Sequence, residues 1–399
     1  MSVKKRVDAL KNFKKTVNCF FKKGKLTAEY RSEKIMGVIP SGAVFAAYSR
    51  GIGRIIACSP DSVSLLAEGK RFSNCSAYGG PSPFLIEDYV NGSAKAIIIA
   101  GNFATICRVT SSDVYELKYT LSCGVMHCGR LFGADGYTLR WSGPGGFDDW
   151  EEGIDGCGYL LTDPAHGEIL NLLVYGGKLV AVREYGITVF NMLSFPENFC
   201  VEDTYSYRDK TYKNTASIVN GKIYFFTKSG LKCFDGAKIS PVGLRHAVSD
   251  PINAVEYGGK YFLACHSEDL DCLAILCVDT VDGDSCILDE PAEFLFVKDG
   301  VRYLHTGNIK EQHKLIEGGS FYFESGEIDF GTKGPKTVTE LTVSGNAQVS
   351  ILGDKYARHF YVENSTVRPH LRGNRFTVVA RGEGEVNAIS ITAEVTDAV

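Results

Sequence analysis

The sequence predicts an all-β protein, a β-propeller of seven blades followed by a C-terminal β-sandwich. Three observations carry this reading: a hairpin phrase that returns along most of the chain, a spacing near forty residues, and a change of pattern near residue 316. The phrase is clearest in LLVYGGKLVAVREYGITVF near residue 177, ASIVNGKIYFFTKSGLKCF near 221 and NAVEYGGKYFLACHS near 259. With the weaker copies, the turn glycines are Gly53, Gly92, Gly129, Gly177, Gly221, Gly259 and Gly300, at intervals of 39, 37, 48, 44, 38 and 41 residues. Three or four short strands repeating at that period make propeller blades, which must stack because one small sheet cannot bury both faces alone. Six blades is the fallback if the first or last repeat is incomplete, and a stacked sandwich or solenoid is the alternative architecture.

Residues 1–37 form the first segment. Val3, Val7, Leu10 and Phe13 lie four, three and three residues apart, which predicts a short amphipathic helix with Ser2 placed to cap it. VNCFF and KLTAEYR flank Lys23-Gly24 and read as a hairpin, although the helix could run on to Phe21. This stretch is also the most charged: the first 25 residues hold nine Lys or Arg against Asp8 alone, a local charge of +8 on a chain of net −4. Lys4, Lys5, Arg6, Lys11, Lys14 and Lys15 are therefore candidate contact residues, for an acidic partner or for the chain's own acidic body. Nucleic-acid or membrane binding by this basic face is the other reading, weakened by its few aromatics.

The repeats fill 38–315. Within Ser217–Phe226 the residues Ile218, Val219, Ile223, Phe225 and Phe226 mostly alternate with polar neighbours, and Asn220-Gly221 supplies the positive φ angles of a tight hairpin. An open propeller would leave two bare sheet edges, so closure is expected to pair a strand from the N-terminal region with the last blade. The longest interval, between Gly129 and Gly177, holds a loop-rich insertion around 142–166 with both tryptophans, Trp141 and Trp150. From 316 to 399 the strands lengthen and the forty-residue phrase disappears, as a separate sandwich requires.

No stretch reaches the roughly 18 apolar residues of a membrane helix, and the first residues lack the apolar core of a secretion signal, so a cytoplasmic site of synthesis is expected. The thirteen cysteines include no CxxC pair, and Cys58, Cys107, Cys265 and Cys277 sit inside apolar strands. They read as reduced, buried small hydrophobes rather than a disulfide framework.

Candidate chemistry is sparse. Asp148, Asp149, Glu151, Glu152 and Asp155 crowd one loop, but nothing fixes two of them at the separation glycoside hydrolysis needs. GADGYTLRWS misses the spacing of a sialidase Asp-box. Asp279, Asp282 and Asp284 lack an EF-hand register and read as a hairpin turn. Cys123, His127 and Cys128 are too close together for structural zinc. Phosphate-loop, dinucleotide and nucleophile-elbow motifs are absent. The expectation is a protein without catalytic set, metal or cofactor.

The stretch GRLFGADGYTLRWSGPGGFDDW at 129–150 resembles a segment of β-propeller proteins in tailed-bacteriophage virions, where an R-L-F strand precedes a W-S pair and a loop ending in D-W. Arg130, Leu131 and Phe132, then Trp141 and Ser142, then Asp149 and Trp150 hold the matching places. The opening VNCFFKKGKLTAEYRSEKIMG and the closing SGEIDFGTKGPKTVTELTVSG with ARGEGEVNAISITAEV are similar to the same family's first segment and terminal sandwich. The resemblance implies a non-enzymatic structural protein of the neck, tail hub or tail nozzle. It would be assembled in host cytoplasm into a ring or collar with other neck and tail proteins, as a homo-oligomer in the particle without sequence-specific nucleic acid or membrane. In that setting Trp141, Trp150, Arg130 and Phe132 are structural anchors. The alternatives are an intracellular propeller serving as a protein-binding platform, or a carbohydrate-binding or carbohydrate-active propeller using the 142–166 loop.

Overall fold

A computed structural model describes the chain except at residues 1, 23, 36–38, 41, 61, 68–69, 76–82, 91–92, 109–111, 145, 154, 194, 306–310 and 397–399. Seven antiparallel sheets follow one another as blades, so the seven-blade expectation holds and six does not apply. The marker Gly92 lies outside the described residues. The other six marker glycines all take positive φ, from +63° at Gly53 to +131° at Gly300. This is the left-handed conformation that reverses a strand in two residues and that side chains with a Cβ resist.

The blades run from Phe45–Cys75, Phe84–Leu121, Cys123–Leu161, Ile169–Ser206, Ser217–Pro241, Val248–Leu288 and Ala292–Glu317. In the second blade the span Ser93–Cys107 pairs with Phe84–Val90 through its first half and with Ser112–Leu121 through its second. Gly101, at φ +64°, marks the change between the halves. The seventh blade takes its outer strand from the start of the chain: Tyr30–Ile35 pairs with Glu311–Glu317, from Tyr30↔Glu317 to Ile35↔Gln312. The ring therefore closes with an N-terminal strand.

The reason no blade stands alone is visible in the cores. Among the described residues, every neighbouring pair of blades shares its own apolar cluster. Ile56 and Cys58 of the first blade meet Ile98 and Cys107 of the second, and Phe132 of the third meets Leu179 and Phe190 of the fourth. Leu304 and Phe296 of the seventh close on Ile55 and Ala57 of the first. Strand alternation sends successive residues to opposite neighbours, so Ile97 and Ile99 face the third blade while Ile98 faces the first.

The expected N-terminal helix is not present. Ser2–Asp8 is a strand, paired along its whole length with Glu385–Thr396 from Ser2↔Thr396 to Asp8↔Ser390. Only Ala9–Lys11 makes a helical turn, of the 3-10 type, whose Leu10 N–H donates to Asp8 Oδ1 at 3.1 Å. The helical spacing lost because Glu385–Thr396 would otherwise present an open sheet edge; Ser2, expected as a cap, is a ladder residue. Strands at Ser2–Asp8, Phe13–Val17, Cys19–Lys22 and Lys25–Ala28 join those between Ser320 and Thr396 in one ten-stranded sheet wrapped around a single core.

The hairpin Cys19–Ala28 belongs to both halves of the molecule. Cys19, Leu26 and Ala28 enter the C-terminal core, whereas Phe20, fully buried, enters the cluster between the sixth and seventh blades. Asn18 N–H donates to Ile287 O at 2.8 Å and its Oδ1 accepts from Asp289 N–H at 2.8 Å. Phe21 N–H donates to Asp284 Oδ2 at 2.9 Å, Lys22 Nζ reaches Asp279 Oδ2 at 2.6 Å, and Lys260 pairs with Glu29.

Candidate interaction site on the third blade

The third blade consists of Cys123–His127, Arg130–Asp135, Thr138–Trp141 and Gly158–Leu161, with the 142–157 stretch of the insertion between its last two strands. Arg130 follows the Cys128-Gly129 turn and is 5% exposed. Its Nη1 donates to Ser142 O at 2.8 Å and Gly156 O at 3.2 Å, while Nη2 donates to Asp155 O at 3.0 Å and pairs with the Asp155 carboxylate. One guanidinium thus ties the two ends of the insertion together, using the planar fork that lysine lacks. Ser142 adds a second tie: its Oγ accepts from Leu131 N–H at 2.9 Å and its own N–H donates to Leu131 O at 2.9 Å.

The aromatic anchors divide between the two flanks. Trp141 lies in the core shared with the fourth blade, its ring 5.2 Å from Phe199 at 75° and 6.4 Å from fully buried Phe132. A Cβ on Gly158 would stand 2.5 Å from the Trp141 indole, so that glycine is what lets the outer strand pass over the ring. Trp150 packs the other way, half-buried against the core shared with the second blade, 5.2 Å from Tyr119 at 73°. Phe147, fully buried, pins the same side.

Held in this way, the blade presents an aromatic outer face around an ion-paired arginine. The Arg140 guanidinium lies 4.0 Å from the Tyr119 ring centre and 5.7 Å from that of Tyr159, while Arg140 Nε donates to Asp135 Oδ2 at 3.0 Å. The pairs Arg140↔Tyr159 and Thr138↔Leu161 set Tyr159 and Leu161 two residues apart on one side of the outer strand. They are 60% and 63% exposed, and Tyr137 is 45% exposed beside them. Sequence reasoning found the anchors and missed this surface. Its signal was GYLL, an unbroken apolar run where an outer blade strand should alternate.

Two of the loop acids are ion-paired, and a third fastens the loop through its backbone carbonyl. Asp155 holds Arg130, Glu152 meets Lys118 Nζ at 3.3 Å, and Asp149 O accepts from Gly143 N–H at 2.7 Å. Asp148 and Glu151 stay exposed. Elsewhere, Asp279 and Asp284 are engaged by the N-terminal hairpin and by Arg245 Nη1, which reaches Asp284 Oδ1 at 3.1 Å. Cys123 is buried in the core between the third and fourth blades, while Cys128 is exposed with its Sγ 3.5 Å from His127 Nε2. Among the described residues no group of three or more His, Cys, Asp or Glu is arranged to hold a metal ion.

The basic residues near the start contact their own chain. Lys4 faces Glu340 at 3.8 Å, Lys5 Nζ donates to Phe330 O at 3.2 Å, and Arg6 Nη2 donates to Ser390 Oγ at 2.8 Å. Lys14 pairs with Glu324 at 2.8 Å, Lys15 Nζ donates to Asp269 O at 2.8 Å, and Lys11 is exposed.

No protein-family model matches the chain, and no curated protein sequence does. Solved structures share its fold. A crystal structure of BBS1N in complex with ARL6DN aligns at TM-score 0.52 and 7% identity, over 75% of this chain and 98% of that one. PorZ, a bacterial surface component of the type-IX secretion system of Porphyromonas gingivalis, aligns at TM-score 0.50 and 11% identity over 89% of this chain, which spans 60% of PorZ. The Neurospora crassa Pan2 WD40 domain aligns at TM-score 0.47 and 10% identity, over 68% of this chain and 88% of that one. At such identities the likeness is one of fold: the chain is a seven-bladed β-propeller protein.

Proposed function

We propose that this protein is a non-catalytic binding platform whose third blade docks a protein partner. The observation that carries the reading is the exposed Tyr137, Tyr159 and Leu161 beside the Arg140–Tyr119 stack, on a surface immobilised by Arg130. Tyrosine and arginine are the residues that dominate interface energetics, and a rigid presenting surface loses little entropy on binding. The ion-pairing of two loop carboxylates, Asp155 and Glu152, supports a role without catalysis. Exposed Asp148 and Glu151 at the rim suit a partner segment that is basic around an apolar centre.

The test is a photo-crosslinking amino acid placed at position 159, with the captured partner compared between wild type and Leu161→Ala. A single partner, lost with Leu161→Ala and kept with Tyr257→Ala on the sixth blade, is the expected result. Indiscriminate or unchanged capture overturns it. A narrower reading, a ring-forming neck or tail component of a phage particle, is supported by the resemblance of residues 129–150. Its test is to purify particles, if the source produces them, and look for this chain as a stoichiometric oligomer.

A further inference from the structure

The outer face of the C-terminal sheet carries a second and unrelated surface. Cross-strand pairing sets Tyr361, Gln348, Arg381 and Tyr322 in one row, through Gln348↔Tyr361, Gln348↔Arg381 and Tyr322↔Arg381. With strands about 4.8 Å apart the row spans roughly 14 Å. Ser350 and His359 form the adjoining row, Ser350 Oγ and His359 Nδ1 being 2.7 Å apart. These residues line a groove of about 680 Å³, and Leu352 lies on its lining and on that of a second groove.

Two features distinguish this row from an ordinary solvated sheet. Tyr361 is 69% exposed, at the edge of a row whose other members are amide, guanidinium and phenol. The Arg381 guanidinium carbon stands 5.3 Å from the centre of the Tyr322 ring, and among the described residues Arg381 has no carboxylate within ion-pair distance, whereas the nearby Glu324 is neutralised by Lys14 at 2.8 Å and accepts from Tyr322 OH at 2.9 Å. At that distance the ring and the guanidinium are cation–π partners, and a guanidinium without a carboxylate partner is matched by a planar carboxylate.

We propose that this groove binds an oligosaccharide bearing ring carboxylates, of the uronic-acid type. Tyr361 covers the C–H face of one sugar ring, Arg381 takes the carboxylate of the next, and Gln348, Ser350 and His359 meet hydroxyls. The row lies on the face of the sheet, where a ligand meets side chains, so a peptide strand adding to the open edge of Ala357–Val367 would leave the groove itself unfilled. A ligand read by side chains alone, amphipathic and flat, meets the geometry. Arg381, which has no ion-pair partner among the described residues, selects the acid over a neutral sugar.

The experiment titrates the full chain with α-1,4-trigalacturonate and, separately, its methyl ester, by calorimetry. The expected result is saturable binding of the acid, with the ester about tenfold weaker or more. Arg381→Gln should bring the acid down to the ester's affinity, and Tyr361→Ala should weaken both about fivefold or more. Both side chains are exposed, so the variants should keep the wild-type melting temperature; Arg372→Gln, on another strand, should bind as wild type. Failure of the acid to saturate below about 10 mM, equal affinity for acid and ester, or unchanged binding by Arg381→Gln overturns the proposal.

Discussion

A single guanidinium decides whether the third blade can present its outer face. Arg130→Met should free the carbonyls of Ser142, Asp155 and Gly156 from their shared donor, and limited proteolysis should then cut within 142–157 well before wild type is cut. Trp141→Ala should cost about 3–5 kcal/mol in denaturant unfolding, because the vacated indole volume lies between Phe132, Phe199 and Gly158. Cys58, Cys107, Cys265 and Cys277 are fully buried, and burial pushes the Cys265 thiol up to about 12. All four should label slowly with a thiol reagent until denaturant is added, as measured by mass spectrometry. These anchors and cysteines were legible because apolar strands and an overlong interval mark them. The exposure of Tyr159 and Leu161 was not, since the sequence does not say which strand ends up outermost.

His246 gives the junction a pH dependence. Burial lowers its pKa and outweighs the opposing pull of Asp269, whose Oδ2 is 3.1 Å from Nδ1, while Nε2 stands 3.5 Å from Thr16 Oγ1. The folded protein therefore holds this imidazole neutral to a lower pH than the unfolded chain does. Its contribution is complete above the ordinary value of 6.5 and is lost as pH falls through it toward the lower folded value. Melting temperature should fall between pH 7.5 and 5.5, and His246→Gln should flatten part of that slope; an unchanged slope would show that this group is not its source.

At the scale of elements, the repeat was readable because each blade writes its own turn: a glycine between alternating strands, preceded by Asn or Gly in the clearest copies, is a local signal. The first strand was misread for the opposite reason. Val3, Val7, Leu10 and Phe13 fit a helical stripe, and the partner that overrides it, Glu385–Thr396, lies at the far end of the chain. Such pairings leave no mark in a local window. Removing residues 1–8 should uncover Glu394 through Ser390, which pair with Lys4 through Asp8, and so expose an edge of a sheet whose other side is already paired with Lys336–Gly345. The truncated chain should melt at a lower temperature and elute as dimers or larger species in size exclusion. A monomeric truncation with wild-type stability would mean that the first strand adds nothing to the sheet.

For the whole molecule, the path of the chain matters more than either fold alone. The polypeptide starts in the C-terminal sheet, supplies the closing strand Tyr30–Ile35 of the seventh blade, travels round the ring and returns to the same sheet. Neither core is complete without the hairpin Cys19–Ala28: Leu26 belongs to one and Phe20 to the other. The ion pairs Lys22–Asp279 and Lys260–Glu29 then fix the hairpin and the residue after it against the sixth blade, in partly buried positions where breaking one partner leaves a charge stranded. Two structures that share an element this deeply should unfold together. Calorimetry of the intact protein should show one transition. Phe20→Ala removes a fully buried ring from the propeller side while leaving Leu26 and Cys19 seated in the sheet, so it should cost about 3–5 kcal/mol and fall chiefly on the propeller. Combined with Lys22→Ala, it should divide the single transition into two, the sheet outlasting the ring. If wild type already melts in two independent steps, or if the double variant still melts in one, the hairpin is not what couples them.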